Sequence, residues 1–420
     1  MVTTIDLLFD ALVQSFGEVD VIAKKTHTNA VVILHGDEII AESNPTAGDV
    51  ISLKLSPNGK KLVYITEESM VTLFDIENKT ATNILRLPEG AEFIQFVRIE
   101  GNEVIVCREP NSTLRVWKNS KIAYLVENAG YIISIHEVND ECVITVTQNG
   151  VITFYNISGT KWTIISRAVI DRKNINIYFS CFGYKKQLLA MLSTSQNLLL
   201  HYLQEDTSVT PPYIKIELYY RHIFKDKPTY CDISQDQKYL AIGFESGDIT
   251  IIDIQERSVI QTFSFHTNAI TQLNWGPSTT EIPLLLSVNR DELAWWNIQL
   301  SNCGTHKKHQ SRKGIIRSIS TPSVSTGTES HSSLPTSYST GISSSLSSSL
   351  VQTLQDDKTG NASSYWKAKV GRDNNNPALL CTLQLPTSCI PKVCISADFS
   401  KFITVDIYGS VSTFKLFGYS

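Results

Sequence analysis

Residues 50–76 read VISLKLSPNGKKLVYITEESMVTLFDI, and this stretch decides the fold class. Ile51, Leu53 and Leu55 alternate with polar neighbours, the period of two expected of a strand buried on one face. Ser56-Pro57-Asn58-Gly59 then supplies a turn, with φ preset at proline and a positive φ tolerated at glycine. A second apolar run from Lys61 to Ile65 follows, then a turn at Glu67-Glu68-Ser69, then a third run from Met70 to Ile76. The unit is three short strands joined by tight turns.

The unit recurs along the chain. A second copy, residues 230–254, reads YCDISQDQKYLAIGFESGDITIIDI, and the last, residues 393–416, reads VCISADFSKFITVDIYGSVSTFKL. The third strand of each copy ends near an aromatic residue or aspartate: Asp75, Trp117, Tyr155, Tyr202, Asp253 and Trp296, with Lys415 at the matching place in the last. Successive gaps up to Trp296 are 42, 38, 47, 51 and 43 residues, close to the roughly 40–45 of a WD-type propeller blade. The Trp-Asp signature itself is eroded, surviving as Val116-Trp117-Lys118 and Trp295-Trp296-Asn297, with Phe265-His266-Thr267 as a remnant of the Gly-His opening. An irregular first unit spans Val19 to Ser43. The expected fold is therefore all-β, a single closed β-propeller of about eight degenerate WD40-type blades, which protects strand edges by radial repetition.

Composition agrees. The 420 residues are 42 % apolar and 19 % charged, with a formal net charge of −4; such a chain is globular and shows no basic block suited to nucleic acid. Apolar runs such as Ala30 to Leu34 are strand-length, far short of the roughly 20 residues that span a bilayer. The opening Met-Val-Thr-Thr-Ile-Asp does not read as a signal peptide, so a cytoplasmic protein with no membrane partner is expected. Cys107, Cys142, Cys181, Cys231, Cys303, Cys381, Cys389 and Cys394 include no C-x-x-C pair and read as small buried thiols. Residues 1–300 hold about seven blades and 377–420 the final one. Between them, 301–376 is basic and then rich in serine and threonine, a composition expected of a disordered insertion. Its functional reading is a phosphorylated tether, with basic residues near Ser318, Ser320 and Thr321; a passive insertion is the preferred one. Ile5 to Ser15 fits a short helix or an outer strand.

Chemistry-bearing motifs are missing. There is no phosphate-binding glycine loop, no H-E-x-x-H, no paired cysteine motif for zinc and no G-x-S-x-G elbow. No catalytic, cofactor or metal residue is assigned, and the chain is not expected to be an enzyme. His266 with Asp253 could form a proton-shuttling pair, but a histidine that buttresses a turn is the preferred reading. Trp295 and Trp296 could make a partner-binding patch, although neighbours on a strand face opposite ways and at least one should be core. Glu67, Glu68, Glu245, Asp248, Asp291 and Glu292 fall in turns expected on one rim, where they could meet a basic partner or simply be solvated. The partner surface is not assigned.

Cys394 to Leu416 closely resembles the final blade of the apoptosome scaffold family, the apoptotic protease-activating factors, in its frame Ser396, Asp398, Phe399, Thr404, Val405 and Asp406. Asp232 to Asp253 and Ile270 to Trp296 resemble consecutive blades of that family's C-terminal propeller, and Phe16 to Ile40 its irregular first blade. The serine-rich insertion suggests a divergent invertebrate member, such as the insect relative Dark. The resemblance implies a regulatory propeller that restrains a nucleotide-binding module, with apoptosome subunits and an initiator caspase as partners. It also implies that the ATPase and caspase-recruitment parts lie outside this chain, which would be a fragment or short isoform. Where vertebrate members carry an acidic pair for lysine-rich cytochrome c, this chain has Asn289-Arg290, which argues against that partner.

Overall fold

The computed structural model describes residues 21–298 apart from short turns, and beyond them 351–353, 367–370, 379–384, 392–395, 401–405 and 411–416. Blade 1 holds β1 (Val21–Lys25), β2 (Val31–His35) and β3 (Glu38–Glu42). Blade 2 holds β4 (Val50–Leu55), β5 (Lys61–Thr66), β6 (Met70–Asp75) and β7 (Thr80–Arg86). Blade 3 holds β8 (Phe93–Ile99), β9 (Asn102–Arg108), β10 (Leu114–Lys118) and β11 (Lys121–Val126). Blade 4 holds β12 (Ile132–Asn139), β13 (Cys142–Thr147), β14 (Val151–Ser158) and β15 (Lys161–Val169). Blade 5 holds β16 (Ile177–Gly183), β17 (Leu188–Ser193), β18 (Asn197–Asp206) and β19 (Tyr213–Ile223). Blade 6 holds β20 (Pro228–Ile233), β21 (Tyr239–Phe244), β22 (Asp248–Asp253) and β23 (Ser258–Ser264). Blade 7 opens with β24 (Gln272–Trp275), β25 (Leu284–Val288) and β26 (Glu292–Asn297).

After Ile298 come β27 (Val351–Thr353), β28 (Lys367–Val370), β29 (Leu379–Gln384), β30 (Lys392–Ile395), β31 (Lys401–Val405) and β32 (Val411–Leu416). β29 completes blade 7 against β26 and carries β28 outside it. Blade 8 runs β30-β31-β32, with β27 pairing on the free edge of β32. Two short strands thus come from within 301–376; the rest of that stretch, and Ile5 to Ser15, lie outside the described residues.

From blade 2 to blade 7 the first strands of successive blades pack side by side, so these are the inner strands. Their burial has the period of two at Leu53 and Leu55, but a register slip between Val50 and Ser52 breaks it, so Val50 rather than Ile51 joins them and Ile51 packs on the opposite seam; β20 shows the same pattern. Second strands behave differently: every residue of β17 is buried. The cause is packing on both faces, which turns an inner-sheet strand into a continuous apolar run. Alternate residues then serve alternate seams. Leu240 and Ile242 join the cluster shared by blades 5 and 6, whereas Ala241 joins the one shared by blades 6 and 7. Six such layers fill the seams from blade 1 to blade 7.

Register repeats more faithfully than sequence. In each of the first seven blades the third and fourth strands of the unit (second and third in blade 1) slip by one residue, at Ile40, Ile84, Ala123, Ile165, Tyr219, Ile260 and Leu380. A bulge of this kind bends the outer strand and increases its twist. It also turns Ile40, Ile84, Ile165, Tyr219 and Ile260 onto the inter-blade clusters. The residue just before it is left exposed in blades 1, 4, 5 and 6: Ile39, Ile164, Leu218 and Val259.

The slip also corrects the spacing. Trp117, Tyr155, His201, Ile252 and Trp296 each follow it on the third strand, and all five are buried. Tyr202 and Asp253 therefore sit one residue past the equivalent position, and in blade 2, where the slip falls between Val71 and Thr72, Asp75 sits three past it. Asp253 and Asp75 instead close the next turn, accepting the backbone N–H of Glu256 at 2.8 Å and of Asn78 at 2.9 Å.

Candidate functional site

The one acid–histidine–serine set among the described hydrogen bonds lies in blade 7. His266, between β23 and β24, has Nδ1 3.2 Å from Glu292 Oε1 and Nε2 2.7 Å from Ser287 Oγ. With Nδ1–H donating to the Glu292 carboxylate, Nε2 accepts from the serine hydroxyl, the tautomer that a hydrolytic triad uses. Burial decides against that chemistry. Ser287 is 0 % and His266 5 % exposed, and Trp296 Nε1 donates to the same serine oxygen at 2.8 Å. The nucleophile is capped and out of reach of substrate. The set is a clasp that holds the β23–β24 loop to Ser287 on β25 and Glu292 on β26. Asn289 Oδ1 tightens that turn by accepting from the backbone N–H of Asp291 and Glu292, at 2.9 and 2.7 Å.

Asp253 is not part of the clasp. It stands at the far end of β22, whereas His266 packs beside Gly247 at the near end. Trp295 and Trp296 are both buried, 4 % and 0 % exposed, so neither offers a partner-binding patch. The acidic residues divide. Glu67 and Glu68 are exposed at the β5–β6 turn, and Glu245 is exposed but 3.4 Å from Lys227 Nζ. Asp291 accepts from Asn268, and Glu292 turns inward to His266. Arg290 is exposed at the tip of the β25–β26 turn.

A second polar system runs along the inner strands. Gln95 of β8 donates to the carbonyl of Ile135 at 3.3 Å, joining blades 3 and 4. Ser180 of β16 bonds Ser134 at 2.5 Å and His136 Nε2 at 2.8 Å, joining blades 4 and 5. Asp232 of β20 accepts the backbone N–H of Trp275 at 3.0 Å, and its carbonyl accepts Trp275 Nε1–H at 2.9 Å, joining blades 6 and 7. Gln272 of β24 donates to the carbonyl of Val393 at 2.8 Å, joining blades 7 and 8. These bonds commit Gln95, Ser134, His136, Ser180, Asp232 and Gln272 to holding blades together.

Burial pushes the Asp232 carboxyl up to about 7, against the pull of the backbone N–H groups of Trp275 and Ile233. An acid that binds its proton more tightly when folded loses stability as pH rises, here between about 4 and 7. Asp232→Asn keeps an acceptor for Trp275. It is expected to stabilise the protein at pH 8 by about 2 kcal/mol and to change little at pH 4. Thermal melts at the two pH values check this, and equal shifts at both would refute it. His136 and His201 act oppositely: burial holds each down to about 4, so stability falls as pH drops through about 6.5 towards 4.

Comparison with known proteins completes the picture. A solved propeller, the C-terminal WD40 domain of Sif2, matches 96 % of this chain and 95 % of its own length, with a TM-score of 0.59 and 11 % identity. The chain has the WD40 propeller fold. The Cps50 (Swd1) β-propeller of Myceliophteria thermophila covers 66 % of the chain and 91 % of its own, at 12 % identity and a TM-score of 0.48. The family profile of the anaphase-promoting complex subunit 4 WD40 domain matches residues 180–278, which are blades 5 and 6 with the start of blade 7. No curated protein matches the chain.

Proposed function

We propose that this WD40 propeller is a non-catalytic protein-interaction scaffold working in the cytosol. The observation that carries the reading is the sealed clasp: the only triad-like geometry described spends its serine, histidine and carboxylate on holding loops in place. Gln95, Ser134, His136, Ser180, Asp232 and Gln272 of the inner strands are likewise bonded at the seams, and the exposed turns and outer strands offer surface for protein partners. Within this reading, the frame at Ser396, Asp398, Phe399, Thr404, Val405 and Asp406 supports an apoptosome adaptor that controls initiator-caspase activation. A scaffold subunit of another multiprotein complex fits the fold and the matched profile equally well. Arg290 at its exposed turn tip weakens the case for a lysine-rich partner such as cytochrome c.

Affinity purification of the tagged chain separates the two. Recovery of a nucleotide-binding ATPase together with an initiator caspase is the result expected of the adaptor. Recovery of a different stable complex favours the general scaffold. Hydrolytic activity in the purified chain that is lost on Ser287→Ala would overturn both.

A further inference from the structure

Cys181 on β16 and Cys231 on β20 meet across the seam between blades 5 and 6 as free thiols, Sγ to Sγ 3.5 Å. The seam around them is firmly held. Phe179 and Tyr230 pack with ring centroids 4.4 Å apart, and the Tyr178 hydroxyl donates to the carbonyl of Pro228. Cys107 and Cys142 differ, having the carbonyl of Arg108 and the side-chain amide of Asn156 as their neighbours. A disulfide needs its sulfurs about 2.05 Å apart, so closure asks for only about 1.5 Å of travel between two side chains already aimed at each other.

We propose that Cys181 and Cys231 form an oxidation site, a dithiol that a hydroperoxide converts into a disulfide tying blade 5 to blade 6. Cys181, half-buried where Cys231 is fully buried, is the first to react. Its sulfur attacks one peroxide oxygen and the O–O bond breaks. For hydrogen peroxide the departing hydroxide takes the thiol proton as water and leaves a sulfenic acid. Cys231 sulfur then attacks the Cys181 sulfur, the S–O bond breaks, and a second water departs with the Cys231 proton. Two thiols are oxidised and one peroxide is reduced to two waters. A thiol in exchange with the disulfide reverses the change.

The surroundings set the conditions. The thiol–thiol hydrogen bond and burial hold the Cys181 thiol well above its usual range, with Cys231 and Asp232 adding to the effect. Thiolate is the reacting species, so the site is slow at neutral pH and quicker in alkali. The bond would close a loop between cysteines 50 positions apart, restricting the unfolded chain and raising Tm.

The test treats the folded chain with hydrogen peroxide at pH 8, blocks remaining thiols, and maps peptides without reduction. The expected product is one linked pair of peptides carrying Cys181 and Cys231, two hydrogens lighter than their sum and released by dithiothreitol. Tm of the oxidised protein is expected to rise and to return on reduction, and Cys181→Ser should abolish both the link and the rise. Links scattered among the eight cysteines, or sulfinic acid at Cys181 without a link, would overturn the proposal. The wild-type map decides the matter even if the variant folds poorly.

Discussion

Gly247→Ala is expected to lower stability by about 3 kcal/mol or more, read as a loss in urea or thermal unfolding. Gly247 forms the β21–β22 turn with φ +91°, a backbone conformation that residues with a side chain rarely adopt. The space is also closed. A Cβ there would lie 2.3 Å from the carbonyl oxygen of His266, 2.7 Å from its carbon and 2.9 Å from the carbonyl oxygen of Asn268. All three are backbone atoms, so no rotamer relieves the clash; the β23–β24 loop must move and take His266 out of the clasp. Gly48→Ala is the control. Its φ of +80° is similarly unfavourable, but the nearest atom is the flexible Glu68 Cγ at 3.3 Å. A loss of about 1 kcal/mol is expected there, from strain alone. Equal losses at the two positions would mean that the approach to His266 is not as close as described.

The fold was legible where local chemistry repeats. Ser56 and Ser234 build the same turn: each hydroxyl accepts a backbone N–H five residues on, from Lys61 at 2.9 Å and Tyr239 at 3.0 Å. Gly59 and Gln237 both take positive φ beside them. Such turns mark the blade in sequence. The buried position on the third strand is another matter, because Trp117, Tyr155, His201, Ile252 and Trp296 fill equivalent space with unrelated side chains. Packing asks for volume and burial there, not for one residue, so spacing read from Asp75, Tyr202 and Asp253 departs from the equivalent positions. The bulges were silent too. They arise from sheet twist at Ile84, Ile165 or Ile260, none marked by glycine or proline.

The clasp was half legible. His266 was visible as a turn buttress, but its partners lie 21 and 26 residues away on the next blade. Asp253 is nearer in sequence yet stands at the opposite end of a six-residue strand, about 17 Å along it. The signal that could have located the partners is the diagonal placement of Ser287 and Trp296 on adjacent strands, Ser287 pairing with Ala294 two residues before the tryptophan.

Trp296→Ala is expected to cost about 4 kcal/mol, among the largest losses from any truncation in blade 7. The side chain is wholly buried, stacks on Phe263 with centroids 4.7 Å apart, and meets Phe265 edge-on at 5.8 Å. Its Nε1–H is also the donor that caps Ser287. Trp296→Phe keeps most of the ring and loses that bond, so a smaller loss of about 1–2 kcal/mol is expected, the penalty of an unmade buried bond. Ser287→Ala should cost about as much, because it strips His266 and Trp296 of a shared partner. The decisive measurement is the double variant Trp296→Phe with Ser287→Ala. If the three side chains act as one clasp, the pair should lose clearly less than the sum of the single losses, since each change removes the same bond. Strict additivity would show that Ser287 and Trp296 stabilise the blade independently. A Ser287→Ala protein of unchanged stability would contradict the structural role altogether and return the serine to consideration as a reacting group.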